Sequence, residues 1–284
     1  MVKGYRPDSL QEALEIKSDH ATSIIAGGTD LMVQKARGTG LKPGLKNNPL
    51  FISHLPELRK FETSDKFIRI GACLTLSELA EKGELPTPLL NAINEIASIP
   101  LRNIATMGGN ICNASPAGDT LPYLYAADAR LLLQSIHEER VITLDEFIYG
   151  PGQITLESGE ILTDIIIDNK AYDFNFYKKV GTSKGMALSK LSFTGLVDFD
   201  DGEISEFRAA FGAVGPTVLH YPEIENKVIG TKTSNILEMA AEIKNEYVKL
   251  IKPIDDSRST KEYRSKVSLR ILHEFMEEIS NFKQ

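Results

Sequence analysis

Apolar and polar positions along the chain switch repeatedly between a helical and a strand period, and the switches mark out the elements. The first is a helix: Ser9 stands at an N-cap position, Glu12 completes a capping-box spacing, and Leu10, Ala13 and Leu14 supply the apolar stripe. TSIIAGGTDLMVQKA then reads as a short β-branched strand, a Gly-Gly turn and a helix. PLFISHLPEL and KFIRIGACLTLSELAEKG predict strands with turns between them, the second passing into a helix at residues 75–81. Residues 89–97 have helical spacing and stop near Pro100. Beyond a second glycine-rich stretch, YLYAADARLLLQSIHEERVITLDEFI predicts a helix followed by strands, and GEILTDIIID a β-branched strand.

A polar segment at residues 169–175 interrupts this pattern. After it, the chain alternates in strand fashion around an Asp200-Asp201-Gly202 hairpin turn, and residues 234–283 are mainly helical. These shifts place a domain boundary near residue 174, giving domains 1–174 and 175–284, with sublobes of about 1–60 and 61–174 in the first. A length of 284 residues accommodates two or three packed subdomains.

Composition narrows the function classes. Hydrophobic residues at 42% and charged residues at 25% are ordinary globular values, which sets aside disordered and fibrous chains. A formal net charge of −7 argues against a nucleic-acid or anionic-membrane partner. Any bound phosphate must therefore be held locally, by backbone N–H groups or a few placed cations. The amino terminus lacks the apolar core of a signal peptide, and no apolar run approaches the ~20 residues of a membrane span. The two cysteines, Cys73 and Cys112, form no CxxC pair, and the five histidines are scattered without ligand spacing. The expectation is a cytoplasmic protein with no metal site of its own.

Two glycine-rich stretches carry the candidate chemistry. In AGGTD, residues 26–30, glycines between a strand and a helix let backbone approach a ligand closely, and the helix start offers unpaired N–H groups suited to phosphate. A tight turn with no ligand is the plain alternative. TMGGNICNASPAGD, residues 106–119, holds three glycines, Thr106, Asn110, Asn113, Ser115 and Asp119, with no Lys or Arg. Small polar side chains and glycine amides of this kind can form an anion-binding nest. Asp119 either accepts a hydrogen bond from a sugar hydroxyl or caps the following helix. With neither GxGxxG nor GxxxxGK[ST] present, no Rossmann unit or P-loop is indicated. Two separated glycine loops in an acidic chain suggest a dinucleotide pyrophosphate clamped from two sides.

AGGTDL, IASIPLRNIATMGGNICNASPAGDTLP, GEIL and YKKVGTSKGMALSKLS stand in the order and spacing of the flavin subunits of molybdenum hydroxylases. FRAAFGAVGPTV and IKPIDDSRSTKEYRSKVSLRIL resemble that family's carboxy-terminal domain, so the resemblance covers essentially the whole chain. It implies an α+β fold: a two-lobed FAD-binding domain of the PCMH type, followed by a smaller α/β domain like that of the carbon monoxide dehydrogenase flavoprotein. It also implies non-covalent FAD, with the first pyrophosphate-contacting loop formed by Ile24, Ile25, Ala26, Gly27, Gly28, Thr29, Asp30 and Leu31. Thr106, Gly108, Gly109 and Asn110 form the second, with Asn113 beside them. Asp119 matches an acidic contact to the ribitol–ribose region, and Leu162 an apolar contact. Lys179 matches a lysine near the flavin ring, where positive charge favours the reduced, anionic flavin. Ile96 falls where relatives can place a side chain against the isoalloxazine face, here without an aromatic ring. Thr182-Ser183-Lys184 departs from the arginine usual in relatives, and its contacts do not carry over.

The role so implied is an oxidoreductase subunit without catalytic acid–base residues of its own. It takes electrons from [2Fe–2S] clusters on a small partner subunit, while a large partner subunit carries molybdopterin, and passes them to NAD or another acceptor. Two cysteines cannot bind an additional iron–sulfur cluster. The alternatives are a free-standing flavoprotein reductase of the same flavin fold, or an assembly subunit that has lost FAD.

Overall fold

The computed structural model describes residues 4–182 and 188–282. Ser183 and Lys184, in the segment that departs from the arginine pattern, lie outside the described residues.

The chain forms two compact units. One comprises Met1–Glu84, Ser98–Ala114 and Asp128–Asn169; the other comprises Leu85–Ala97, Ser115–Ala127 and Lys170–Gln284. Two short segments thus leave the first unit to join the second, which the periodicity of their sequences gives no sign of.

Among its described residues the first unit has two main sheets and a short antiparallel pair, Ile148–Gly150 with Gln153–Ile154. Thr22–Ile25 pairs in parallel with Asn48–Phe51, and the helix Leu10–Asp19 covers the pair through Ala13 and Leu14, both fully buried. The Ser9 hydroxyl accepts from Glu12 N–H at 3.2 Å, as the spacing predicts. The Glu12 carboxylate, however, reaches Asp8 N–H at 2.7 Å, one residue before the cap, so the reciprocal half of the predicted box is displaced. Complete boxes form at Thr75 with Glu78 and at Thr143 with Glu146.

The second sheet is antiparallel, in the order Phe61–Thr63, Phe67–Gly71, Ile161–Asp168, Arg130–Gln134, Glu139–Thr143. Its central strand is the predicted ILTDIIID run, nearly continuously buried because it has neighbours on both edges and packing on both faces.

The second unit has a four-stranded antiparallel sheet in the order Phe174–Val180, Leu191–Asp200, Glu203–Gly212, Leu219–His220. Its central hairpin turns at Asp201 and Gly202, both at positive φ (47° and 79°), the geometry a two-residue turn requires. Helices Ile236–Leu250 and Lys261–Asn281 pack with this sheet around Phe193, Phe211, Tyr247 and Phe275. The Phe275 ring lies so near Gly195 that a Cβ there would sit 2.3 Å from it. Helix Thr87–Glu95 packs on strand Phe174–Val180, and helix Leu121–Ala126 on the two central strands.

Candidate functional site

The first unit encloses a cavity of about 480 Å³. Fourteen of the seventeen residues expected from the sequence line it: residues 24–31, Thr106, residues 108–110, Asn113 and Leu162. They come from three chain segments far apart in sequence, which the folding of one unit brings to one wall. The remaining three, Ile96, Asp119 and Lys179, belong to the second unit.

The two glycine stretches contribute differently. Gly28 adopts φ +67°, and a Cβ there would make only ordinary contacts, at 3.4 Å to the Ile25 side chain and 3.6 Å to that of Met32. Gly27 is needed for close approach: a Cβ there would lie 2.1 Å from the Ile104 carbonyl oxygen. Among the described residues, the backbone N–H groups of Gly27, Gly28, Thr29 and Asp30 donate to no other residue, and all four residues line the cavity. Successive unpaired amides in a cavity wall can form a neutral cradle for an anion, which is what an acidic chain needs to hold phosphate.

The second stretch is not the nest its composition suggested. Residues Met107–Cys112 form a helix, with Thr106 as N-cap accepting from Gly109 N–H at 3.1 Å. Met107 N–H donates to Leu74 O at 3.1 Å, Gly108 N–H to Ala72 O at 2.9 Å, and Asn110 N–H to Thr106 O at 3.0 Å. These amides are already used. What the stretch offers the cavity is a close-packed wall, because Gly108 presses on Ala72, where a Cβ would meet the Ala72 side chain at 2.6 Å.

Gln34 ties the two stretches together, a role that no sequence signal marked beyond its i+4 spacing from Asp30. Its amide nitrogen donates to the Asp30 carboxylate and, at 3.1 Å, to Asn113 Oδ1. Lys17 was also missed. It leaves the last turn of the first helix to line the cavity, and its Nζ donates to Ser158 O at 2.8 Å. Burial lowers its pKa, with Glu160 pulling it back up. Cys73 and Cys112 line the cavity as well, and burial pushes both thiols up to about 12. Neither supplies a thiolate near neutral pH, which fits a cofactor held without a covalent bond.

In the second unit, the Asp119 carboxylate meets Lys179 Nζ at 2.8 Å, with both side chains almost fully buried. Lys179 also donates to Glu95 O at 2.6 Å, and the Ser189 hydroxyl donates to Asp119. Burial raises the pKa of Asp119 above the usual carboxylate value, while Lys179 and then Ser189 work against the rise. Asp119 is therefore not a helix cap: Thr120 holds the N-cap position of Leu121–Ala126 and makes no side-chain cap bond. Nor is Lys179 a solvated lysine, although its strand is at the sheet edge. Nearby, the buried Tyr177 hydroxyl has no hydrogen-bond partner among the described residues. Ile96 ends the helix Thr87–Glu95 as its C-cap.

Among the described residues, no helix is long and apolar enough to cross a membrane. Nor does any group of three or more His, Cys, Asp or Glu among them form a candidate metal site.

Comparison with known proteins matches residues 1–169 to the FAD binding domain in molybdopterin dehydrogenase, and residues 175–279 to the CO dehydrogenase flavoprotein C-terminal domain. The nicotinate dehydrogenase FAD-subunit of Eubacterium barkeri is 29% identical over 237 residues, covering 80% of this chain and 79% of that protein. The glyceraldehyde dehydrogenase medium chain of Sulfolobus acidocaldarius is 29% identical over 267 residues, covering 92% of each. In fold, the chain resembles a structure of reconstituted CO dehydrogenase from Oligotropha carboxidovorans, with a TM-score of 0.87 at 20% identity over 99% of this chain and 98% of that one.

Proposed function

Because the chain belongs to the family of FAD-binding subunits of molybdopterin dehydrogenases, we propose that it relays electrons from the [2Fe–2S] clusters of a small partner subunit to NAD or another acceptor. A large partner subunit would hold molybdopterin and carry out the substrate chemistry. The chain itself is an oxidoreductase component that binds FAD. When bound, FAD supplies a carrier that takes up electrons singly or in pairs.

The observation that carries this reading is the row of unpaired amides at residues 27–30, all of which line the cavity. These amides would bind the pyrophosphate without adding positive side chains to an acidic surface. Thr106 and the Gly108-Gly109 wall would close the second side, and Gln34 would hold the two sides at a fixed spacing. Leu162 and its apolar neighbours would exclude water from the adenosine portion. For Ile96, Asp119 and Lys179, family membership supports a role at the same cofactor. The buried Asp119–Lys179 pair further supports a lysine fixed in position and orientation, as tuning a flavin by charge requires.

The relay needs no acid–base pair on this chain, since protons and substrate are handled where the substrate binds. The test is reconstitution with the two partner subunits. Reduction of the flavin by the holoenzyme's substrate must require the iron–sulfur subunit. Flavin reduction by substrate in a mixture lacking that subunit contradicts the relay, as does a holoenzyme in which the flavin stays oxidised while the clusters are reduced.

A further inference from the structure

The cavity of the first unit extends well beyond the glycine turn. Thr22 begins the strand that leads to that turn. Five residues at ~3.3 Å each put it about 16 Å from Gly27 along the chain. The cavity lining that does not come from the two glycine stretches is largely apolar, from Ile52, Ile154, Leu156, Ile161 and Leu162.

Two polar groups stand out against that lining. The Thr22 hydroxyl is buried and has no hydrogen-bond partner among the described residues. A buried hydroxyl is costly to leave unpaired, and one lining a cavity is most readily paired by whatever fills it. Lys17 is the second. One of its three N–H donors is committed to Ser158 O, which fixes the ammonium beside the cavity with two donors remaining.

Apolar walls with one hydroxyl and one ammonium donor suit a flat heterocycle that has ring-nitrogen acceptors and an exocyclic amine. They suit a second phosphate poorly, because the apolar walls leave most of its oxygens without donors. We propose that Thr22 and Lys17 recognise the edge of the adenine base and so select FAD over flavins that lack it. Thr22 pairs with the exocyclic amine or the adjacent ring nitrogen, as a hydroxyl can donate or accept, and Lys17 donates to a ring nitrogen. The inference rests on reading the cavity as the FAD site and assigns its remote end.

The test is titration of the full chain with FAD, ADP and FMN, comparing wild type with Thr22→Val, Thr22→Ser and Lys17→Met. Thr22→Val should weaken FAD and ADP about five- to tenfold, the effect of one hydrogen bond, and leave FMN unchanged. Thr22→Ser should restore most of the loss. Lys17→Met, at a half-exposed position, should weaken FAD and ADP at least threefold with wild-type melting. It carries the test should Thr22→Val fail to fold. Unchanged FAD and ADP affinity in folded variants overturns the inference while leaving the FAD site standing. So does an equal loss for FMN, which would place the effect away from the base. A wild-type chain that binds neither FAD nor ADP overturns the reading of the cavity, and the inference with it.

Discussion

Gly27 is the position where the site is most tightly determined. An alanine methyl there would stand 2.1 Å from the Ile104 carbonyl oxygen and 2.9 Å from its carbon. Carbon–oxygen contacts settle near 3.3 Å or beyond, so one backbone or the other must give by about 1.2 Å. The Ile104 side cannot yield cheaply. Ala105 N–H donates to Leu101 O at 2.8 Å, Leu76 N–H to Ala105 O at 2.9 Å, and Met107 N–H to Leu74 O at 3.1 Å. The glycine turn therefore moves, and its amides move with it. Overpacking of this kind costs about 1–3 kcal/mol of stability. A hydrogen bond to a charged oxygen contributes about 1.5–3 kcal/mol, so losing one weakens FAD binding by about 10- to 100-fold. Gly28→Ala is the matched control. The nearest atoms to a Cβ there are at 3.4 and 3.6 Å, and the cost is the left-handed backbone at φ +67°, about 1–2 kcal/mol. It should lower the melting temperature and keep FAD affinity within about tenfold, since the amides need not shift. Quenching of flavin fluorescence measures affinity, and a thermal melt measures stability. If Gly27→Ala binds FAD within threefold of wild type, the close approach of the two stretches does not position the amides, and this reasoning fails.

Three further outcomes follow from the buried charges and thiols. Lys179→Met strands the Asp119 carboxylate and should destabilise the chain by about 3 kcal/mol. Because burial raises the Asp119 pKa, its contribution is favourable at low pH and lost as pH rises through the folded value; the deficit should shrink in acid, and a deficit larger at pH 5 than at pH 8 contradicts the assignment. Asp256, joined to Arg264 and Arg258, is held well below the usual carboxylate range. Its contribution is present above the ordinary carboxylate value and lost only as pH falls through the depressed folded value, so Asp256→Asn should lower the melting temperature at pH 7, and most of that deficit should persist at pH 3. Cys73 and Cys112, with thiols pushed up to about 12, carry only about 10⁻⁴ thiolate at pH 8. A disulfide reagent should label neither within minutes in the native protein and both after denaturation; prompt native labelling shows that one is accessible.

Much of the architecture is legible in the sequence because single elements carry their own punctuation. Ser9 caps its helix where its hydroxyl is expected, and the Asp201-Gly202 turn sets its hairpin through two left-handed residues. What is not legible is long-range. Nothing local in residues 85–97 or 115–127 says that these short helices leave the first unit to pack on a sheet formed much later in the chain. The same limit applies at the site. The residues at the cavity wall match those the glycine stretches nominate, yet composition alone makes the second stretch a nest. Its amides are spent on Leu74, Ala72 and Thr106, partners that only the fold supplies. Lys17 and Thr22 escape a motif-based reading for a related reason. A lysine at a helix end and a threonine opening a strand are ordinary residues until the chain folds them against one cavity.

The most direct measurement is the identity and stoichiometry of the flavin. The purified chain, incubated with FAD and FMN together and then desalted, should retain FAD at one per chain, released intact by denaturation as expected without a covalent bond. Retention of FMN in place of FAD, or of no flavin at all, contradicts the account.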